Sequence, residues 1–490
     1  MNHSLLYMPS LLKGKAKATQ KPVLEFAKGE FLWPLLFMLG MSALGLHFYP
    51  ALLIIIAIIL RQFRENRYDF CIMLMMFFGG YGLVANNTLG IKVHDMGLIA
   101  GLILAIILRK PPVMKRTLTL LCILAVLFVW IALQSWESLK VQFLIMRYYL
   151  TFIMVFIPLG CFANTKFDMT AMVRRLMVYA LLMCMFYVVD SFVIRGAILI
   201  PANYVWGSTS TFYSPYMQPL SMGFLRMYPY GLYICILGFI PAMRMFRIPL
   251  WMWALLLISM LSTRTFTYMA ALMVTLLLFQ GSFRRFLTIT LTFIASFALL
   301  YGIDSLLPET VYETGVSSTL RIKSTVDQFV DVQKAMDDED LAQFGSGRMA
   351  QVIPKVDLVE RYNKEWVGLG FLHPDYTRNN ALVIINEYYT DIANNEEVAT
   401  GVEVVPVQIW LATGWIGLIA MNLFFFGLWF IIRRLRYSYL YLATLVFCMI
   451  LGIGGFASLG GYDGQALTAF AYATVILANR EQLPGFSRKD

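Results

Sequence analysis

The chain is 490 residues long, with 59% hydrophobic and 14% charged residues, a mean hydropathy of +0.68 and a net charge of +10. Soluble domains carry about 25% charged residues, so this composition lacks the polar surface of a soluble globule and excludes an ordinary soluble enzyme. The positive charge does not indicate a nucleic-acid partner, because the basic residues cluster in short loops between apolar runs, as cytoplasmic loops do.

Residues 1–30 hold Lys13, Lys15, Lys17, Lys21 and Lys28 but no apolar stretch ending in a small-residue cleavage site. They read as a cytoplasmic N-terminal segment, with the first span directing insertion. Beyond them, apolar runs recur at the length that crosses hydrocarbon, about 17–25 residues. Backbone groups must be satisfied internally in lipid, and these runs are continuous rather than alternating, so they predict helices and not a barrel. Spans are expected near 31–46, 48–60, 68–86, 96–108, 117–133, 141–161, 172–194, 222–242, 248–263, 265–280, 286–303, 404–432, 438–456 and 463–479. The fold class is an all-α polytopic membrane protein with about 12–14 transmembrane helices. A bundle occupies 31–303, further transmembrane helices 404–479, and a cytoplasmic tail 480–490.

Charge gives the orientation. Arg61/Arg64/Arg67, Arg109/Lys110/Lys115/Arg116, Arg174/Arg175, Arg244/Arg247, Arg284/Arg285 and Arg433/Arg434/Arg436 fall in alternate loops, which places those loops and both termini in the cytoplasm. On the opposite face, an aromatic and proline-bearing segment at 195–221 includes Tyr204, Trp206, Phe212, Tyr213 and Tyr216. Residues 304–403 form the one long hydrophilic stretch and hold most of the chain's 29 acidic residues. They predict a solvated, partly helical periplasmic loop domain, with helices over 325–341 and 348–362 and a turn at Gly345-Ser346-Gly347. Asp190 is the main charge within a span. The cysteines (Cys71, Cys122, Cys161, Cys184, Cys235 and Cys448) lie in or beside apolar segments without a C-x-x-C spacing, and read as small core residues.

Few cations remain on the outer face. Arg147, Arg226 and Arg264 sit near outer ends of spans, and Arg321, Arg348, Arg361 and Arg378 sit in the loop. Arg264, in Ser262-Thr263-Arg264, separates two apolar stretches that are short for a bilayer crossing. Two readings fit it equally: an interfacial arginine reaching for water, or a phosphate ligand beside a helix N-terminus capped by Thr263 or Thr265. Arg348 follows a glycine turn at an expected helix start and is either an anion ligand or a solvated charge. His373 is the histidine of the loop, a base near neutral pH or an incidental residue. Asp391, Glu396, Glu397 and Glu403 precede the next span, and Glu403 stands at the membrane mouth.

The order of these elements resembles the superfamily of O-antigen polymerases and O-antigen ligases, bacterial inner-membrane glycosyltransferases. The resemblance rests on Ser262-Thr263-Arg264 opening a span, Gly347-Arg348 early in the outer loop, Gly368-Leu369-Gly370-Phe371 later in it, and Gly414-Trp415-Ile416-Gly417-Leu418 inside the next span. It covers roughly 260–420 by motif and the rest by topology. Where the ligases carry a histidine before the glycine turn, this chain has Glu403, which turns the resemblance toward the polymerases.

The resemblance implies a GT-C-like bundle that transfers polyprenyl-pyrophosphate-linked oligosaccharide repeat units to build O-antigen or a related surface polysaccharide. Its implied partners are that donor, a glycan or lipid A core acceptor, the bilayer and a chain-length regulator. Arg264, Arg348, Arg147 and Arg226 would hold the pyrophosphate, and Glu403 or His373 would serve as base, with no metal or other cofactor required. The alternatives are ligation of the glycan to lipid A core, and a lipid-linked oligosaccharide flippase without chemistry.

Overall fold

A computed structural model of the protein describes residues 21–27, 29–46, 48–64, 169–200, 234–262, 359–370, 405–433 and 438–453, with shorter pieces at 217–219, 225–227, 232 and 356 and within 122–133 and 274–291. These residues are mostly helical. The expected spans at 68–86, 96–108, 141–161 and 463–479, most of those at 265–280 and 286–303, and part of that at 117–133 lie outside the described residues.

Helices α1 (Leu32–Gly45) and α2 (Ala51–Arg64) form an antiparallel hairpin. Gly40 permits their close approach, since a Cβ there would stand 3.2 Å from Ile55 Cγ1. At the open end the Arg61 guanidinium stacks 3.9 Å above the Trp33 ring, a cation–π contact that ties the two helices.

Helix α3 (Met169–Val188) runs into a π-helical turn at Val189–Ile194. The segment Val173–Ile194 has a mean hydropathy of 2.1, and among the described residues it is the one helix long and apolar enough to cross a membrane. It packs against α4 (Ile234–Met245) and α5 (Leu250–Leu261). Gly238 makes the α3–α4 contact possible, because a Cβ there would meet Ala180 Cβ at 2.9 Å. Farther along the seam the buried thiols of Cys184 and Cys235 touch at 3.5 Å without forming a disulfide, as expected of core cysteines, whereas Cys122 is exposed.

The expected span at 222–242 begins later than its hydropathy suggests. Residues Leu225–Met227 form a strand, β2, paired antiparallel with β1 (Met217–Pro219) in the register Gln218↔Arg226. The helix starts at Ile234, beyond Pro229 and Gly231, because proline disfavours α geometry in the residue before it and glycine weakens a helix start.

The cytoplasm-assigned basic residues of this region gather at one end. The extended stretch 21–27 docks along the α4–α5 connection: Arg247 N donates to Pro22 O at 2.8 Å and Leu24 N to Arg247 O at 3.0 Å. Lys21 Nζ donates to Met243 O at 3.0 Å. Helix α6 (Val405–Ile432) is followed by α7 (Ser438–Ile453), whose Tyr439 ring lies 5.1 Å from the Arg244 guanidinium carbon. The N-terminal stretch, the start of α3, the end of α4 and the start of α7 therefore converge.

Several hydroxyl and amide side chains within the helices are satisfied along their own backbone. Ser259 Oγ donates to Leu256 O at 2.7 Å, Thr444 Oγ1 to Leu440 O at 2.9 Å and Asn422 Nδ2 to Leu418 O at 2.8 Å. Large apolar side chains point outward in number, among them Leu53, Leu60, Leu250 and Leu423, each more than 60% exposed. Isolated exposed leucines need no explanation, but such a set on successive helices suits an apolar solvent.

Asp190 is fully buried in the π-helical turn. Its Oδ1 accepts from Leu199 N at 3.0 Å and its Oδ2 from Ile200 N at 2.8 Å. Arg195, in the left-handed region at φ 55°, closes the turn, and Leu199 O in turn accepts from Ser42 Oγ of α1. The carboxylate thus ties the end of α3 to α1. Asp190→Ala should destabilise the protein by about 1–3 kcal/mol for each donor left unpaired, and Asp190→Asn by less, since its one carbonyl oxygen still accepts. Thermal unfolding in detergent should rank wild type above Asn above Ala, and equal midpoints would remove this role.

Candidate functional site

Two glycine motifs far apart in the chain meet at a break in α6. Gly414 adopts φ 59°, ψ −169° inside this 28-residue helix, a conformation essentially restricted to glycine. A break leaves the last carbonyls of the first half and the first N–H groups of the second half without helical partners. The strip 365–370 supplies both sets. Leu369 N and Gly370 N donate to Leu411 O and Ala412 O at 2.9 and 3.0 Å, while Trp415 N and Ile416 N donate to Glu365 O and Trp366 O at 2.9 and 3.1 Å.

Close backbone contact at this junction demands glycine. A Cβ at Gly414 would overlap the Trp366 carbonyl carbon, and one at Gly368 would meet Ala412 C at 2.5 Å. Gly368 and Gly370 themselves have φ of 73° and 81°. Gly368-Leu369-Gly370 and Gly414-Trp415-Ile416-Gly417-Leu418 are thus two halves of one structure.

The strip reaches the junction through a helix end. The expected helix at 348–362 is seen at Val356 and through 359–361, and it ends with Asn363 at φ 52°. Lys364 N donates to Val359 O and Asn363 N to Glu360 O, both at 3.0 Å, the paired bonds of a left-handed C-terminal cap. Val359, Leu369 and Trp410 form a small core that Val356, Leu411 and Leu418 pack against. The Trp410 and Trp415 rings lie 5.8 Å apart. Trp410 Nε1 is buried without a hydrogen-bond partner. Trp366 and Trp415 expose 64% and 45% of their surface beside the break.

Because the N–H groups of Trp415 and Ile416 are already engaged, the junction acts as a strut and not as an anion cradle. It fixes where the 359–370 segment meets the helix that follows Glu403. Glu403 stands two residues before Val405, and His373 three residues after Gly370, so both candidate bases are tethered to this strut by short lengths of chain.

Glu403, His373, Arg264, Arg348 and Arg147 lie outside the described residues, as do Asp391, Glu396 and Glu397. Arg226 is placed by its backbone in β2, opposite Gln218. Ser262, which opens the Ser-x-Arg motif, is buried and ends α5, donating to Ser259 O at 2.5 Å. That stop coincides with the expected interruption beside Arg264. Among the described residues no cluster of His, Cys, Asp and Glu could hold a metal ion. The loop does carry one Asp-x-Asp spacing, Asp338-Glu339-Asp340, outside the described residues, so a metal-free reaction has to be argued from the leaving group alone.

No family model matches the chain, and a search of curated proteins finds no match.

Sequence reasoning missed the tryptophans and the helix break. The available signal was the glycine pair in the middle of an apolar run, with tryptophan directly after the first glycine. Gly414→Ala should abolish correct folding, because strain and overlap with Trp366 act together. Gly427→Ala, in the same helix with nothing within 4 Å of its would-be Cβ, should be neutral or stabilising by up to about 1 kcal/mol. Monodisperse elution and thermal midpoint in detergent read both. Similar behaviour of the two variants would refute the strut.

Proposed function

We propose that the protein is a bacterial inner-membrane glycosyltransferase of the polymerase type. It transfers polyprenyl-pyrophosphate-linked oligosaccharide repeat units onto a growing O-antigen or related surface polysaccharide. The observation that carries this reading is the pairing of the Gly-x-Gly strip with the Gly-x-x-Gly turn at the α6 break. These are two of the four motifs in the resemblance, and they are bonded group by group although separated in sequence. The outward leucines and the internally satisfied serines and threonines support a multi-pass membrane location; the alternation of basic loops supports both termini cytoplasmic and 304–403 periplasmic.

In this reading an acceptor hydroxyl attacks the anomeric carbon of the donor sugar, the bond to the pyrophosphate oxygen breaks, and the hydroxyl proton passes to a base. Pyrophosphate is already a good leaving group. The protein's contribution is cationic stabilisation of the departing charge by Arg264 and Arg348, helped by Arg147 and Arg226, and proton removal by Glu403 or His373. The strut would set the spacing between the outer segment and the membrane mouth, on which attack geometry depends.

A second reading is favoured by the same break. Discontinuous helices recur in transporters, where half-helices line a substrate path, so a flippase for lipid-linked oligosaccharide is the rival of a different class. Ligation to lipid A core shares the donor and differs in the acceptor.

One assay separates the three. Purified protein is incubated with polyprenyl-pyrophosphate oligosaccharide, with and without core acceptor. A ladder from donor alone is expected. A single product that requires the core would indicate a ligase, and no product would favour transport.

Arg264→Ala and Arg348→Ala should each lower turnover by about 10²–10³-fold, the effect of removing one preorganised charge-stabilising donor. Lysine should rescue only in part, because it lacks the bidentate fork. Glu403→Gln should slow the reaction by about 10²–10⁴-fold and more than His373→Ala, with donor binding kept. The reverse ranking would restore a histidine mechanism. Unchanged activity in Arg264→Ala would end the proposal.

A further inference from the structure

The end of the bundle where the N-terminal stretch docks has a charge imbalance that the proposed chemistry does not use. Arg174, on the first turns of α3, holds its guanidinium carbon 5.7 Å from the Phe246 ring centroid. Arg244, in the last turn of α4, holds its own 5.1 Å from the Tyr439 ring. Both side chains are half-buried, and the Nε atom of each is sealed by packing with no hydrogen-bond partner. Among the described residues neither arginine is paired with a carboxylate. Arg175 and Arg247 stand beside them, and Lys21 is held at Met243 O in the same place. Of the acids in and just after the docked stretch, Glu25 is exposed and the Glu30 carboxylate accepts from Ala27 N at 3.1 Å.

Half-buried guanidiniums without a counter-charge are costly, and the cost falls when an anion meets them. Each is oriented by an aromatic ring, which fixes its plane and leaves the terminal nitrogens as a fork suited to phosphate oxygens. Immediately after Arg247 the chain turns into α5 with Leu250 82% exposed and Trp251 54% exposed. An apolar surface with an interfacial tryptophan therefore adjoins the cationic pair, and a headgroup phosphate and its acyl chains would meet both at once.

We propose that Arg174 and Arg244 form a binding site for the phosphate of an anionic glycerophospholipid, walled by the 21–27 stretch, with the acyl chains along the start of α5. The site is independent of the sugar-transfer reading, which invokes other residues.

The test uses the full-length protein in a neutral detergent. It is presented with phosphatidylglycerol, phosphatidylcholine or inorganic phosphate, and retained lipid is read by native mass spectrometry alongside the thermal midpoint. Phosphatidylglycerol should be retained roughly tenfold to thirtyfold over phosphatidylcholine, the preference expected of two arginines at a membrane surface, and should raise the midpoint. The double variant Arg174→Gln/Arg244→Gln should lose both effects, while Arg433→Gln, an exposed arginine over Phe430, should keep them. If the double variant does not fold, Arg244→Lys retains stem and charge but not the fork, and its retention ratio should fall. No preference for phosphatidylglycerol in the wild type would overturn the proposal, as would an undiminished ratio in these variants. A midpoint rise with inorganic phosphate equal to that with the lipid would reassign the site to a soluble anion and overturn it as a lipid site.

Discussion

The constraint on which the described structure depends is that a helix interrupted in apolar surroundings must find protein partners for its freed backbone groups. At Gly414 those partners are the carbonyls of Glu365 and Trp366 and the N–H groups of Leu369 and Gly370. The arrangement explains why three glycines, Gly368, Gly370 and Gly414, all sit at positive φ within one small region. It also explains why the residues around them pack as a core of their own, apart from the α3–α4–α5 assembly. Asp190 solves the same problem at the end of α3 by different means: one buried carboxylate accepts two loop N–H groups that lack a helical carbonyl.

Much of the helical framework was legible in the sequence because apolar length and basic punctuation are strong signals. The segments expected at 31–46, 172–194, 248–263 and 438–456 appear as helices within a few residues of those bounds. Where expectation and structure differ, a local feature outweighed hydropathy. The strand at Leu225–Met227 lies inside an apolar run, and periodicity alone cannot separate a short strand from the start of a helix. The 404–432 span was legible as a length but not as two pieces, since a single glycine is close to neutral in hydropathy and leaves an apolar run unbroken. The π-helical turn at Val189–Ile194 leaves no mark in composition at all.

The site was legible in a different sense. The motifs drew attention to Gly368, Gly370, Gly414 and Gly417 before any geometry was known, and the structure joins the first three at one place. What the motifs could not convey was the reason: these glycines are required by backbone-to-backbone contact and not by a ligand. The paired tryptophans, Trp410 and Trp415, escaped notice because aromatics in apolar helices are common, and only spatial proximity distinguishes this pair. The chemistry assigned to Arg264, Arg348, Glu403 and His373 follows from residue type and order along the chain.

The strut also has an entropic meaning. Gly370 is bonded to Ala412 of α6, and α6 itself begins at Val405, a short way back along the same helix, so the two ends of the intervening chain are fixed. These ends are pinned close together by bonds that do not involve the chain between them. Closing a loop between fixed ends costs free energy only as the logarithm of its length. Residues can therefore be added to or removed from the chain between these ends at little expense to α6. Room for variation in length and sequence lies there, between Gly370 and Gly414, which the backbone contact holds fixed.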